Sequence, residues 1–164
     1  MRFPLNKLRK VLLSTLISIA LIGAGAYGYY NYFGPKVAFQ TNKDAAHCRQ
    51  GNVLNGVDRQ ARFTVLSTCE KVVGVVHDMK STTEDDGDYQ FNLAVTQPYS
   101  KLLNEENKQQ VNNMLVMEII SSDQNSSNVQ IPKNGQQIEA IGAWVTDNPH
   151  GWNELHPIWS LKIL

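Results

Sequence analysis

No G-x-S-x-G occurs anywhere in this 164-residue chain, so a serine hydrolase of the nucleophile-elbow type has no foothold. Arginine is scarce. Beyond the N-terminal region only Arg49, Arg59 and Arg62 occur, all upstream of the predicted strands, which leaves a nuclease without cations to stabilise its pentavalent phosphate. Cysteine is limited to Cys48 and Cys69, and the adjacency of His47 to Cys48 has no metal-ligand spacing. Outside the cytoplasm an even count is most simply one disulfide, and it would take both thiols away from nucleophilic chemistry. The two lie 21 positions apart, a loop whose closure stabilises by about 3 kcal/mol in the chain-entropy model. Acidic residues, finally, are missing before Asp44.

That last absence sits beside the longest apolar run. Arg2, Lys7, Arg9 and Lys10 precede Val11–Tyr30, and Tyr27, Tyr29, Tyr30, Tyr32 and Phe33 close it. Cations before a run of this length and aromatics after it predict a transmembrane signal anchor with its N-terminus in the cytoplasm. Residues 1–35 are assigned to that segment. The small residues Ala24-Gly25-Ala26 leave secretion after cleavage near Ala26 as the alternative. Either way the rest is extracytoplasmic. Residues 36–164 carry 11 basic against 15 acidic side chains, a net of −4, which weighs against nucleic acid as partner.

Residues 36–61 lack periodicity and read as a linker and approach segment, with the domain proper at 62–164. Within it, Cys69–Asp78, Asp88–Thr96, Met114–Ile120, Gln137–Thr146 and Leu155–Leu164 have strand composition, and Pro98–Asn113 has weak helical content. In the fourth of these, Ile138, Ala140, Gly142 and Trp144 face one way and Glu139, Ile141, Ala143 and Val145 the other. An all-β fold follows, a five-stranded antiparallel barrel with one short helix.

The segments VVGVVHD and GQQIEAIGAWVTD look like strands one and four of an OB-fold. The set VVGVVHDMK, DDGDYQFNL, LVMEII and DNPHGWNELHP is similar to a family of small exported OB-fold-like proteins that end in a HGWxExHP signature. The resemblance spans roughly residues 68–164. It implies the architecture and the position of a site, and brings no activity with it.

The richest stretch is Asp147–Pro157, with two imidazoles, two carboxylates, an indole, two prolines and a glycine in eleven residues. As the last connection of the barrel it should place Asp147, His150, Trp152, Glu154 and His156 at a rim. His77, Asp78 and Asp88, at the ends of the first and second strands, are expected near the same rim. Together these eight form the candidate ligand-binding site. Two imidazoles with a carboxylate suit a divalent metal such as zinc, and His150, His156 and Glu154 are the candidate ligands, although their spacing matches no zinc motif. The competing explanation is structural: imidazoles tying down a long connection, with Gly151 at positive φ. Glu84, Asp85, Asp86 and Asp88 around Gly87 could hold calcium, but the segment is too short for an EF-hand loop and also suits a hairpin turn.

Tyr89, Phe91, Tyr99, Trp144, Trp152 and Trp159 offer stacking surface for a saccharide, peptide or protein partner, less those needed for the core. The expectation is a membrane-anchored binding module. A metal-dependent hydrolase using His150, His156 and a carboxylate is the alternative, and a purely structural envelope protein the second alternative.

Overall fold

The computed structural model describes residues 47–80 and 85–164. The proposed anchor and Glu84 lie outside the described residues. Among those described, no helix is long and apolar enough to cross a membrane.

Five strands close into a barrel: β1 (Phe63–His77), β2 (Tyr89–Val95), β3 (Leu115–Ile119), β4 (Gln137–Asp147) and β5 (Asn153–Ile163), in the order β1-β2-β3-β5-β4. The barrel is not purely antiparallel. β3 and β5 run parallel, with Val116 opposite Glu154 and Met117 opposite Leu155, while every other neighbouring pair is antiparallel. β1 starts six residues before Cys69, because Phe63–Ser67 pairs with Trp144–Asp147 at the far end of β4. A single long strand can then serve two neighbours, β4 along most of its length and β2 at its C-terminal end. The helical segment is shorter than expected: a 3-10 turn at Tyr99–Leu102 and the six-residue helix α1 (Glu105–Gln110).

The alternation in β4 separates two apolar clusters. Ile138 and Ala140 join Val72, Val76, Phe91, Leu93, Met117, Leu155 and Leu161 inside the barrel. Ile141, Ala143 and Val145 face outward against Val53, Leu54, Val57 and Trp159. The described part of the approach segment, residues 47–61, therefore covers the outside of β4 and supplies part of the core. It is held there by the Cys48–Cys69 disulfide and by Arg49, which forms two 2.8 Å bonds to Asp123 and lies 5.3 Å over the Trp159 ring. The covalent and ionic ties add to the burial of Val53, Leu54 and Val57, worth roughly 2 kcal/mol each.

Gly142 lies at a register shift between β4 and β5. A Cβ there would sit 2.5 Å from the Pro157 carbonyl oxygen and 3.0 Å from Leu155 Cγ, so the strands can approach only where a side chain is missing. Gly142→Ala should cost about 2 kcal/mol, as overpacking commonly does, and should appear as a lower urea midpoint with an unchanged slope.

Candidate functional site

Strand alternation decides where the polar groups of β3 and β5 go. Leu115, Met117, Ile119 and Leu155 point into the barrel, so Glu118, Glu154 and His156 stand on the outer face across the parallel β3–β5 seam. Gln90 on β2 joins them and donates to Glu118 Oε1 at 2.8 Å. Glu154 and His156 belong to β5 itself, and Asp147 is the last residue of β4. The expected eleven-residue connection contracts to residues 148–152, and the site is a sheet face roofed by loops instead of a rim.

His156 is the centre of this face and is 3% exposed. Its Nδ1 lies 2.9 Å from Glu118 Oε2 and 3.0 Å from Glu154 Oε1, so Nδ1 carries the hydrogen and donates to both carboxylates. Burial alone works against an imidazolium, but hydrogen bonds to Glu118 and Glu154 outweigh it and push His156 up to about 10. Glu118 is held below the usual carboxylate range because its bonds to His156 and Gln90 overcome burial, whereas burial wins at Glu154 and raises it. The Nε2 of His156 has no hydrogen-bond partner. It points toward Asp88, whose Oδ2 is 3.9 Å away. Asp88 is 5% exposed, accepts from the Ser121 backbone N–H at 2.8 Å, and is pushed up to about 6, chiefly by burial.

A second group closes the end of the site. Asp147, 2% exposed, accepts two bonds from the Arg62 guanidinium and faces His150 Nδ1 at 2.5 Å. Burial would raise Asp147, but the Arg62 and His150 bonds hold it below the usual range. The His150 ring stacks on Trp152 at 4.2 Å and 6°, and the Trp152 indole N–H donates to Glu154 Oε2 at 3.0 Å, which links the two groups. Phe63 meets His156 edge-on at 4.9 Å.

The connection itself is anchored from α1. Asn107 is fully buried: its Nδ2 donates to the Met114 and Asn153 carbonyls and its Oδ1 accepts from the Asn104 and Asn153 N–H groups. Gln110 donates to the His150 carbonyl at 2.9 Å. Gly151 has φ 82°, which favours glycine at this turn, and a Cβ there would meet Glu106 Cγ at 3.1 Å, so the Glu106 side chain would have to give way.

Between these groups lies a cavity of about 330 Å³, lined by Arg59, Arg62, Phe63, Asp85, Asp86, Gln90, Glu118, His150, Trp152 and His156 among others. Of the eight expected site residues, His150, Trp152 and His156 line it, and Asp88, Asp147 and Glu154 bond or abut those that do. His77 and Asp78 are not part of it. Both are exposed, His77 as the last residue of β1 and Asp78 directly after it, where Asp78 accepts from Asn92 at 3.0 Å.

The expected ligand set His150, His156 and Glu154 is not assembled. His150 is committed to Asp147 and Trp152, and among the described residues the three-member group of close metal-type donors is Asp88, Glu118 and His156, all within 4.8 Å of one another. Glu118 and Arg62 are the members the sequence reading missed. Arg62 immediately precedes β1 and, with Arg59, lines the cavity, so the expectation that no arginine reaches the site does not hold. Glu118 had a signal, as the lone charge in the apolar run MLVMEII.

No protein-family model matches the chain, and no curated protein matches it.

Proposed function

We propose that the chain is a membrane-tethered, extracytoplasmic binding module with an OB-like barrel, and that its ligand occupies the cavity between Trp152 and Glu118. The observation that carries this reading is the cavity's position. It is bounded by the β2–β3 face through Gln90 and Glu118, by the β1–β2 loop through Asp85 and Asp86, and by the β4–β5 connection through His150 and Trp152. OB barrels bind their ligands across that strand face and those two loops. The strand order with one long β1 serving two neighbours supports the OB-like assignment, although the helix here lies between β2 and β3. The anchor rests on the cations, apolar run and aromatics of residues 1–35, and sequencing the mature N-terminus separates it from cleavage near Ala26.

Guanidinium, carboxylate and flat aromatic surface in one cavity suit a polar ligand with hydroxyls or both charges, a short saccharide or a peptide. Titration of the full-length chain with a panel of oligosaccharides and peptides, followed by indole N–H resonances, should move the Trp152 signal and leave Trp159 in place. Trp152→Ala should abolish binding. Ligands that shift only Trp159, or a panel with no response, would count against the reading. The hydrolase alternative retains one observation in its favour, the unpartnered Nε2 of His156 beside two carboxylates.

A further inference from the structure

We infer that Asp88, Glu118 and His156 form a binding site for a divalent first-row transition ion, with zinc the representative, in which Nε2 of His156 is the nitrogen ligand. The inference rests on the cavity being the ligand site and deepens it by naming a component of that site.

Three features support it independently of residue type. First, an unpartnered ring nitrogen is buried. His156 Nε2 is shielded from solvent without a hydrogen-bond partner, an arrangement that costs about 1–3 kcal/mol unless something occupies it. Second, the other ring nitrogen is already oriented. Its hydrogen is shared by Glu118 at 2.9 Å and Glu154 at 3.0 Å; Glu154 keeps it when Glu118 turns to the ion, and a carboxylate on Nδ1–H fixes a metal-bound histidine's tautomer and makes Nε2 a better ligand. Glu154 is itself held by the Trp152 indole, so the orienting carboxylate cannot swing away freely. Third, charge favours a dication. Asp88, Glu118 and Glu154 surround a single imidazole, three carboxylates against one ring.

The donor type selects the ion. One imidazole with two carboxylates suits zinc or manganese better than calcium, which takes six to eight oxygens. Bonds of about 2.0–2.2 Å require donors roughly 3.4 Å apart in a tetrahedron, so separations of up to 4.8 Å must close by as much as about 1.4 Å, within reach of carboxylate rotation. Three protein ligands leave an open position. Because Glu118 and His156 line the cavity, that position faces the space where the ligand would sit.

Equilibrium dialysis of the metal-stripped full-length chain against zinc should give one ion per chain at micromolar or tighter affinity, with calcium at least 100-fold weaker. Glu118→Gln and Asp88→Asn should each weaken zinc at least 100-fold, and His77→Ala, at an exposed imidazole outside the cluster, should not. Because changes in a buried face can unfold the protein, the unaltered chain supplies a second readout: zinc should shift the Nε2 nitrogen resonance of His156 and leave those of His47 and His77 in place. Absence of zinc binding by the folded chain up to 1 mM, or binding that shifts other histidines and survives both carboxylate changes, overturns the inference. If zinc fails while an oligosaccharide or peptide still moves the Trp152 indole, the metal is wrong and the binding reading stands. If zinc binds and no panel member moves Trp152, the reverse holds.

Discussion

Arg62→Ala should lower the unfolding free energy by about 4 kcal/mol, the range found when one partner of a buried ion pair is removed. Asp147 is 2% exposed, and Arg62 approaches it with two guanidinium nitrogens. Without them the carboxylate keeps its burial and retains only His150, whose ring is half exposed. The pair also clamps the end of the β1–β4 ladder, where Phe63 lies opposite Asp147, and Arg62 stacks 5.1 Å over the Phe63 ring. Restoring neutrality should recover part of the loss, so Arg62→Ala with Asp147→Asn should be more stable than Arg62→Ala alone. Asp147 is depressed in the folded state, so its stabilisation is full above its unfolded pKa, about 4, and is lost as pH falls through the lower folded value. The gap between Arg62→Ala and the parent should therefore be widest near neutrality and shrink in acid. A urea midpoint loss equivalent to less than 1 kcal/mol at pH 7 would show that the pair does not hold this end of the barrel.

Asn107→Leu should be at least as damaging, costing about 4–5 kcal/mol. The replacement has similar bulk, so the loss is not mainly a cavity. It removes four hydrogen bonds, all to backbone groups, and each group left buried and unpaired costs about 1–3 kcal/mol before relaxation. Two of the four go to Asn153, the first residue of β5, and one to Asn104, which caps α1. The change should therefore loosen the helix and the His150–Trp152 turn together. Hydrogen exchange should register this as lost protection at the Asn153 and Asn104 amides well before global unfolding. If those amides keep their protection, Asn107 is not the anchor of the connection.

Much of the barrel was legible from residue order. The period-two pattern of Gln137–Thr146 predicted the two faces of β4, and these separate the two apolar clusters. The cysteine pair formed as the even count suggested. The parallel closure of β3 on β5 was not legible, because period-two alternation says which face a side chain takes and nothing about strand direction. Phe63–Ser67 was missed as strand because its exposed Val65 and Leu66 and its small polar neighbours lack a buried face.

In the candidate site the cluster Asp147–Pro157 was found but its internal grouping was not. His150 and His156 look alike in sequence, yet one lies in a turn stacked on Trp152 and the other on a strand facing Glu118. Glu118 is 38 positions from His156, and Arg62 is 85 from Asp147. Such partners are set by barrel closure, which no local pattern reports.

Those separations bear on how the protein reaches its native state. Phe63 pairs with Asp147, Val116 with Glu154, and neither pairing can form until most of the intervening chain is in place. Chains dominated by such distant pairings fold on millisecond-to-second scales, paying loop entropy before contacts repay it. Residues assembled only by the closing strands, Glu118 with His156 and Arg62 with Asp147, come together late, so an occupant of that face would act by slowing reopening of a finished barrel, not by guiding its formation.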